Sequence, residues 1–124
     1  MDSDLRFPRA YRIRAGSTFS HVYRTGRRAR GESLIVVGAE NNLGHPRLGL
    51  SVGKKIWKSA VKRNRIRRVF RESFRLVASE LPPLDFVLIP AASGLKPNTS
   101  ETCLELVRLA AKVQRKLSEA KSPE

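Results

Sequence analysis

The middle of the chain carries apolar residues at a helical spacing. No Gly or Pro occurs from Lys54 to Leu81, so one long helix is allowed there, and Pro82-Pro83 must end it. On a helical wheel, one side of this segment collects residues at i, i+3, i+4, i+7 and i+11: Ile66, Val69, Phe70, Ser73 and Val77. The pattern predicts an amphipathic helix with that side facing a core.

The opposite side of the same helix is basic. Ten of the 22 residues from Lys54 to Arg75 are Lys or Arg, and the side facing away from the core carries Asn64, Arg68, Arg71 and Arg75. Like charges one turn apart repel, and only Glu72 is a nearby counter-charge. A solvated basic face is the plain alternative. Because nearly all the charge has one sign, the pattern favours a polyanion whose phosphates match the arginine fork.

A short helix with aromatic residues is predicted near the start of the chain. Ser17 or Thr18 can cap it, it runs from Thr18 to about Arg24, and Gly26 closes it. One face collects residues at i, i+3 and i+4: Phe19, Val22 and Tyr23. Periodicity alone favours a core role for this face over a groove in which bases stack, and both readings remain open.

Three segments have the character of β-strands: residues 33–37, 47–52 and 85–89. The last is apolar on both faces, so it is expected inside the sheet. Residues 47–52 alternate, and the face opposite the apolar one carries only the small Gly49 and Ser51. Short side chains there are expected to leave the sheet surface open for a ligand.

The two ends of the chain are predicted to differ. Asn98 can cap a final helix to about Leu117, with Glu101 in the capping-box position, and residues 121–124 should fray. Residues 1–15 contain four arginines and are expected to be extended, either as a binding arm or as a disordered tail. Both interpretations are open.

Composition narrows the class of partner. The 124 residues, predicted as one domain with an ordered core over about 10–117, carry a net charge of +14. This charge implies nucleic acid or an anionic membrane surface. No run approaches the roughly 18 apolar residues of a membrane span, so the membrane interpretation is weak. The N-terminus lacks the apolar centre of a signal peptide, and the single Cys103 fits a cytoplasmic location.

The sequence shows no recognisable group of catalytic residues. Neither His21 nor His45 has a spaced group of Cys, His or carboxylates around it, so no metal site is expected. Asp85 lacks a second carboxylate for acid–base work, and Cys103 is interpreted as a small core residue. No catalytic residue is therefore predicted in the protein itself.

Three ordered motifs resemble the bacterial ribonuclease P protein component: Gly49-Leu50-Ser51-Val52-Gly53-Lys54-Lys55, then Ala60 to Arg68 with the Arg63-Asn64-Arg65 triplet, then Arg71-Glu72-Ser73-Phe74-Arg75. Trp57 stands where this family usually has a small residue. The resemblance covers about residues 10–117. It implies an α+β fold, an αβββαβα sandwich with one sheet covered by helices and a left-handed βαβ crossover, similar to a ribosomal protein domain and the fourth domain of elongation factor G.

The resemblance also implies a function and its residues. The protein would assist a catalytic RNA in removing the 5′ leader of precursor tRNA, with Mg²⁺ held by RNA phosphates and no cofactor bound tightly by the protein. The leader would contact Phe19, Tyr23, Gly49 and Ser51. The catalytic RNA would contact a larger basic set: Lys54, Lys55, Arg63, Asn64, Arg65, Arg67, Arg68, Arg71 and Arg75. Lys62 and Arg67 are the weaker members of the basic helix.

Three alternatives stay open at this point. A ribosomal or other structured-RNA-binding protein would share the charge but would not need the ordered Arg63-Asn64-Arg65 context. A DNA-binding module would require a second short helix beside the basic one, and the pattern shows none. A stand-alone nuclease would require carboxylates or histidines of its own.

Overall fold

The computed structural model describes residues 9–53 and 59–121. Short 3-10 turns lie at Arg9–Tyr11 and Ala78–Glu80. The regular elements of this part of the chain are α1 (Gly16–Thr25), β1 (Arg27–Arg30), β2 (Leu34–Glu40), β3 (Arg47–Leu50), α2 (Ala60–Val77), β4 (Leu84–Pro90) and α3 (Thr99–Lys121).

The four strands form one mixed sheet in the order β1-β2-β4-β3. Both β1 and β4 pair antiparallel with β2, whereas β3 and β4, which α2 connects, pair parallel. The interior position predicted for β4 is confirmed, as are the α+β class and the αβββαβα order. The left-handed sense of the crossover through α2 stays a prediction.

Each face of the sheet carries a hydrophobic core. On one face, α2 and α3 pack over the strands and contribute buried side chains that include Phe70, Phe74, Leu106 and Leu109. On the other face, α1 places Val22 in a smaller cluster with Ile35, Val37, Ala39 and Val87. Helices therefore lie on both sides of the sheet, and α1 covers part of the face that was expected to stay open.

The start of α1 differs from the prediction. The helix begins at Gly16, and the carbonyl of Ala15 accepts the amide of Thr18 at 3.0 Å. No side chain caps it, so the predicted cap by Ser17 or Thr18 is wrong: both residues already lie in the first turn. The predicted closure is confirmed, because the Gly26 amide donates to the Val22 carbonyl at 2.8 Å.

The basic helix α2 starts later than the composition allowed. Ser59 caps it, and its hydroxyl accepts the Lys62 amide at 3.3 Å. Residues 54–58, expected in the same helix, lie outside the described residues. At the other end, α2 passes into the 3-10 turn ahead of Pro82. The predicted cap of α3 is confirmed, since the Asn98 side-chain oxygen accepts the Glu101 amide at 2.8 Å.

The least expected element is β1, an edge strand made mostly of arginine. Only Ala29 is buried, and its position in the core under α2 and α3 puts Arg28 and Arg30 on the α1 face. Part of the expected N-terminal arm is also ordered against the sheet. Arg12 makes a parallel bridge to Leu48, whose carbonyl accepts the Ile13 amide at 2.9 Å.

Candidate RNA-binding surface

The exposed side of α2 is the polar side that the wheel predicted. Asn64 and Arg68 are exposed, while Ile66 and Phe70 are buried. Arg67 is held by two contacts: its guanidinium donates to the Asn64 side-chain oxygen at 3.0 Å and to the Val52 carbonyl at 3.3 Å. Because the Asn64 oxygen accepts this bond and the residue is exposed, its side-chain NH₂ is the group left to donate to an acceptor outside the protein.

Four arginines crowd one flank of this helix. Burial and the neighbouring charges of Arg12, Arg67 and Arg68 lower the pKa of the Arg71 guanidinium. Arg12 comes from the segment bridged to β3, so the N-terminal strand and α2 bring their charges together. Sequence reasoning counted Arg12 only as part of an arm. The position of Arg12 in the sequence does not indicate that it lies near α2, because this proximity depends on the pairing of Arg12 with Leu48.

An open cleft of about 220 Å³ joins this arginine flank to the aromatic helix. Arg12 and Arg71 lie on its wall, and Phe19, Gly49 and Leu50 also line it. Positive charge and an aromatic ring therefore border the same space. Such a combination suits a nucleotide strand, whose phosphates pair with arginine and whose bases stack on rings.

Phe19 and Tyr23 differ in exposure. Phe19 is half-buried, Val22 is fully buried, and Tyr23 is 43% exposed. Gly49 corrects the expectation of an open sheet surface: it is buried, and a Cβ at this position would come within 2.8 Å of the Phe19 ring. The space above Gly49 is thus filled by Phe19, and Gly49 acts by letting that ring lie against β3.

The other predicted positions are spread over the same surface. Ser51 is half-buried, with its amide bonded to the Leu88 carbonyl at 3.0 Å. Arg65 is exposed and Arg63 is half-buried. Arg75 forms a two-point pair with Glu72, with oxygens at 3.2 and 2.5 Å, and this pairing lowers the pKa of Glu72. Its charge is therefore already partly balanced. Lys54, Lys55 and Trp57 lie outside the described residues.

Asp85 and His45, two titratable residues outside the basic helix, have structural contacts. Asp85 is buried and accepts two hydrogen bonds from Arg47, at 2.8 and 2.7 Å, and one from Asn41 at 2.8 Å. His45 stacks on Tyr11 with ring centroids 4.6 Å apart. Among the described residues, no group of three or more His, Cys, Asp or Glu could hold a metal ion.

Comparison with known proteins identifies the family. The sequence model of the Ribonuclease P family matches residues 7–114. The chain belongs to the ribonuclease P protein family. It is similar to the ribonuclease P protein components of Photorhabdus laumondii (47% identical over 85 residues, 68% of this chain and 71% of that protein) and Klebsiella pneumoniae (49%, with the same coverage).

Solved structures of this family share the fold. A Staphylococcus aureus RNase P protein, a mutant with defective mRNA degradation activity, aligns with a TM-score of 0.73 at 29% identity and covers 85% of this chain and 89% of its own. The RNase P protein from Thermotoga maritima aligns with a TM-score of 0.60 at 27% identity, covering 88% and 93%.

Membership in this family gives the chain its general role. It is an RNA-binding protein subunit of ribonuclease P, the endoribonuclease holoenzyme of tRNA processing. The comparisons give no support to the ribosomal-protein alternative. None of the helices in the described ranges has the length and apolar character needed to cross a membrane.

Proposed function

We propose that two surfaces of this protein bind two different RNA partners in the holoenzyme. The polar side of α2 binds the catalytic RNA, and the α1 face of the sheet binds the 5′ leader of precursor tRNA. One observation carries this proposal: the cleft between Arg71 and Phe19 joins a group of arginines to an aromatic ring. Leader and catalytic RNA would meet along this cleft.

Electrostatics supports the assignment of α2 to an RNA backbone. Repulsion among Arg12, Arg67, Arg68 and Arg71 opposes their close approach in the free protein. The phosphates of an RNA chain would offset that repulsion, so the close grouping of these arginines is electrostatically favourable only when RNA is bound. Asn64 adds a directed donor beside them, and the fork of Arg68 can bind one phosphate through two parallel hydrogen bonds.

The α1 face has the features of a surface for single-stranded RNA. The ring of Tyr23 is accessible, Phe19 borders the cleft, and exposed Arg28 and Arg30 lie on the same side of β1. Rings accept any base by stacking, and arginines follow the backbone, so such a surface tolerates many leader sequences. Ser51, which the alternation of residues 47–52 places on the same face as Gly49, completes the proposed leader surface.

Catalysis is proposed to belong to the RNA partner. Mg²⁺ in the holoenzyme would be held by RNA phosphates, because this ion keeps several waters and favours phosphate oxygens, and the protein would bind no cofactor tightly. The protein's own contribution is to bind and align the RNA chains. A cytoplasmic location is part of the proposal, since bacterial transcription supplies precursor tRNA there.

Substitution of Arg68 tests the assignment of α2. Arg68→Ala is expected to weaken binding of the catalytic RNA by about 1–3 kcal/mol, as for a lost charge-assisted hydrogen bond. The melting temperature should stay unchanged, because the side chain is exposed. RNA affinity and thermal unfolding are measured side by side.

Arg115→Ala provides the matched control, since Arg115 is an exposed arginine on α3. It removes the same charge from a surface outside the proposed interface. Equal affinities for wild type, Arg68→Ala and Arg115→Ala would contradict the proposed role of α2.

A further inference from the structure

We propose that α2 carries a second phosphate-binding site, on the flank opposite the arginine cleft, between the helix and the loop after β4. A pocket of about 150 Å³ opens there. Three cationic side chains line it, Lys62, Arg65 and Lys96, above an apolar floor that includes Ile66. This proposal rests on the proposed function of α2. It extends that function to the loop at residues 91–98, which had no assigned role.

The geometry of the helix separates the two sites. At about 100° per residue, the nine-residue step from Lys62 to Arg71 turns through about 900°, which places them on opposite sides of α2. Ile66 and the buried core lie between them on the inner side, and exposed Arg68 lies between them on the outer side. Cations therefore extend around the whole outer half of the helix, so an RNA chain can follow its circumference.

The loop holds Lys96 in a defined position beside the helix. Gly94 has a φ of +78°, a conformation that favours glycine and turns the chain sharply. Pro97 restricts the backbone directly after Lys96, and Asn98 then caps α3 through its bond to the Glu101 amide. The lysine is thus fixed at the backbone, while its side chain remains exposed.

The charge of the pocket is not balanced by the residues around it. No carboxylate lines it, and within the described residues none of the three cationic side chains makes a hydrogen bond or ion pair. Its volume would hold about five waters at roughly 30 Å³ each, which is enough for one phosphate with part of its hydration. A phosphodiester would satisfy all three donors.

A second groove, which the same loop also lines, has mixed charge. It has a volume of about 600 Å³, and three carboxylates, Glu32, Glu101 and Glu105, line it together with Lys96 and Arg108. The pocket on the α2 side has cationic side chains and no carboxylate, so it is the better site for an RNA phosphate. The competing explanation is that Lys96 serves this second groove, as a partner of Glu101, and takes no part in RNA binding.

The catalytic RNA is the source of phosphate that the geometry favours. The pocket lies about half a turn around α2 from the cleft that Phe19 borders, so a leader bound at the aromatic residues would run away from it. Precursor tRNA supplies the same phosphodiester chemistry, and the two sources are separated by measuring them independently.

Lys96→Gln is the decisive variant, compared with Arg115→Gln as a one-charge control and Arg68→Gln as a reference. The affinity of each protein for the catalytic RNA is measured over a range of salt concentrations. Loss of one phosphate contact is expected to reduce the slope of log K against log salt by about 0.7–0.9. Lys96→Gln and Arg68→Gln should each show this reduction, and Arg115→Gln should keep the wild-type slope.

Two further readings identify the source of the phosphate and test the competing explanation. The assembled wild-type and Lys96→Gln holoenzymes should bind precursor tRNA with equal affinity. If Lys96→Gln weakens the binding of precursor tRNA but not the binding of the catalytic RNA, the assignment to the catalytic RNA is overturned. A lower melting temperature with an unchanged salt slope would overturn the site in favour of the second groove. If Arg68→Gln also keeps the wild-type slope, the proposed function of α2 fails together with the site.

Discussion

At the scale of single residues, Tyr23 is a position where a substitution should change RNA binding without changing protein stability. Its ring is 43% exposed, whereas Val22 beside it is fully buried. Tyr23→Ala is therefore expected to leave the free energy of unfolding nearly unchanged. It should weaken binding of precursor tRNA to the holoenzyme by about 1–3 kcal/mol, the value of one stacked base. The measurement is affinity for two tRNAs, one with a leader and one without.

Tyr23→Phe is the control, because it keeps the ring and removes only the hydroxyl group. It should bind both RNAs almost as wild type does. An equal loss for the two tRNAs in Tyr23→Ala, or no loss for either, would mean that the leader lies elsewhere.

Phe19 and Gly49 show which part of the site periodicity could predict. Alternation along β3 correctly separated Gly49 from the apolar face that packs under α2. It could not show what lies above Gly49, since the Phe19 ring comes from another element about 30 residues away and fills that space. A missing side chain therefore indicated close packing of a ring and not an open surface.

At the scale of elements, the pair Arg47–Asp85 joins β3 to β4 where their register aligns the two residues. The side chain of Asp85 is only 3% exposed, while that of Arg47 is 25% exposed. Arg47→Ala would leave a buried carboxylate with Asn41 as its remaining side-chain donor among the described residues, at a cost of about 3–5 kcal/mol. Asp85→Ala should cost less, because the freed guanidinium can reach water.

Chemical denaturation of both variants checks this order. The holoenzyme carrying either variant should keep its cleavage rate at temperatures where the protein stays folded, because neither residue borders the cleft. A greater loss of stability in Asp85→Ala than in Arg47→Ala would contradict the account of this pair.

The elements themselves were predictable to the extent that burial shaped their composition. β4 and the inner side of α2 are apolar because they are enclosed, so their hydrophobic patterns could be recognised in the sequence. β1 was not, since its exposed edge position leaves only Ala29 in the core and the other three residues are arginines. Its strand conformation comes from the ladder with β2, which is a tertiary interaction.

At the scale of the whole molecule, the proposal that catalysis belongs to the RNA partner leads to a simple expectation. The purified protein, free of RNA, should not cleave precursor tRNA whatever divalent metal is added. Cleavage at the leader junction should appear when the catalytic RNA is supplied. The assay follows release of the leader on a gel, with nuclease-treated protein as the RNA-free sample.

Specific, metal-dependent cleavage by that RNA-free sample would favour a nuclease centre in the protein. The basic helix and the family motifs were recognisable from sequence because they are continuous along the chain, and the αβββαβα order followed from the family resemblance. The arginine group around Arg71 was recognised only in part, since Arg12 joins it through the bridge to Leu48.

The arginine-rich edge strand has a consequence for the protein before it meets RNA. An edge strand exposes unpaired backbone groups that invite pairing with another copy. On β1, approach of a second copy would bring two rows of arginine together, and Lys116 already donates to the Arg28 carbonyl at 2.6 Å. The charges that attract RNA thus also protect newly made chains from aggregation, and that protection weakens as salt screens it.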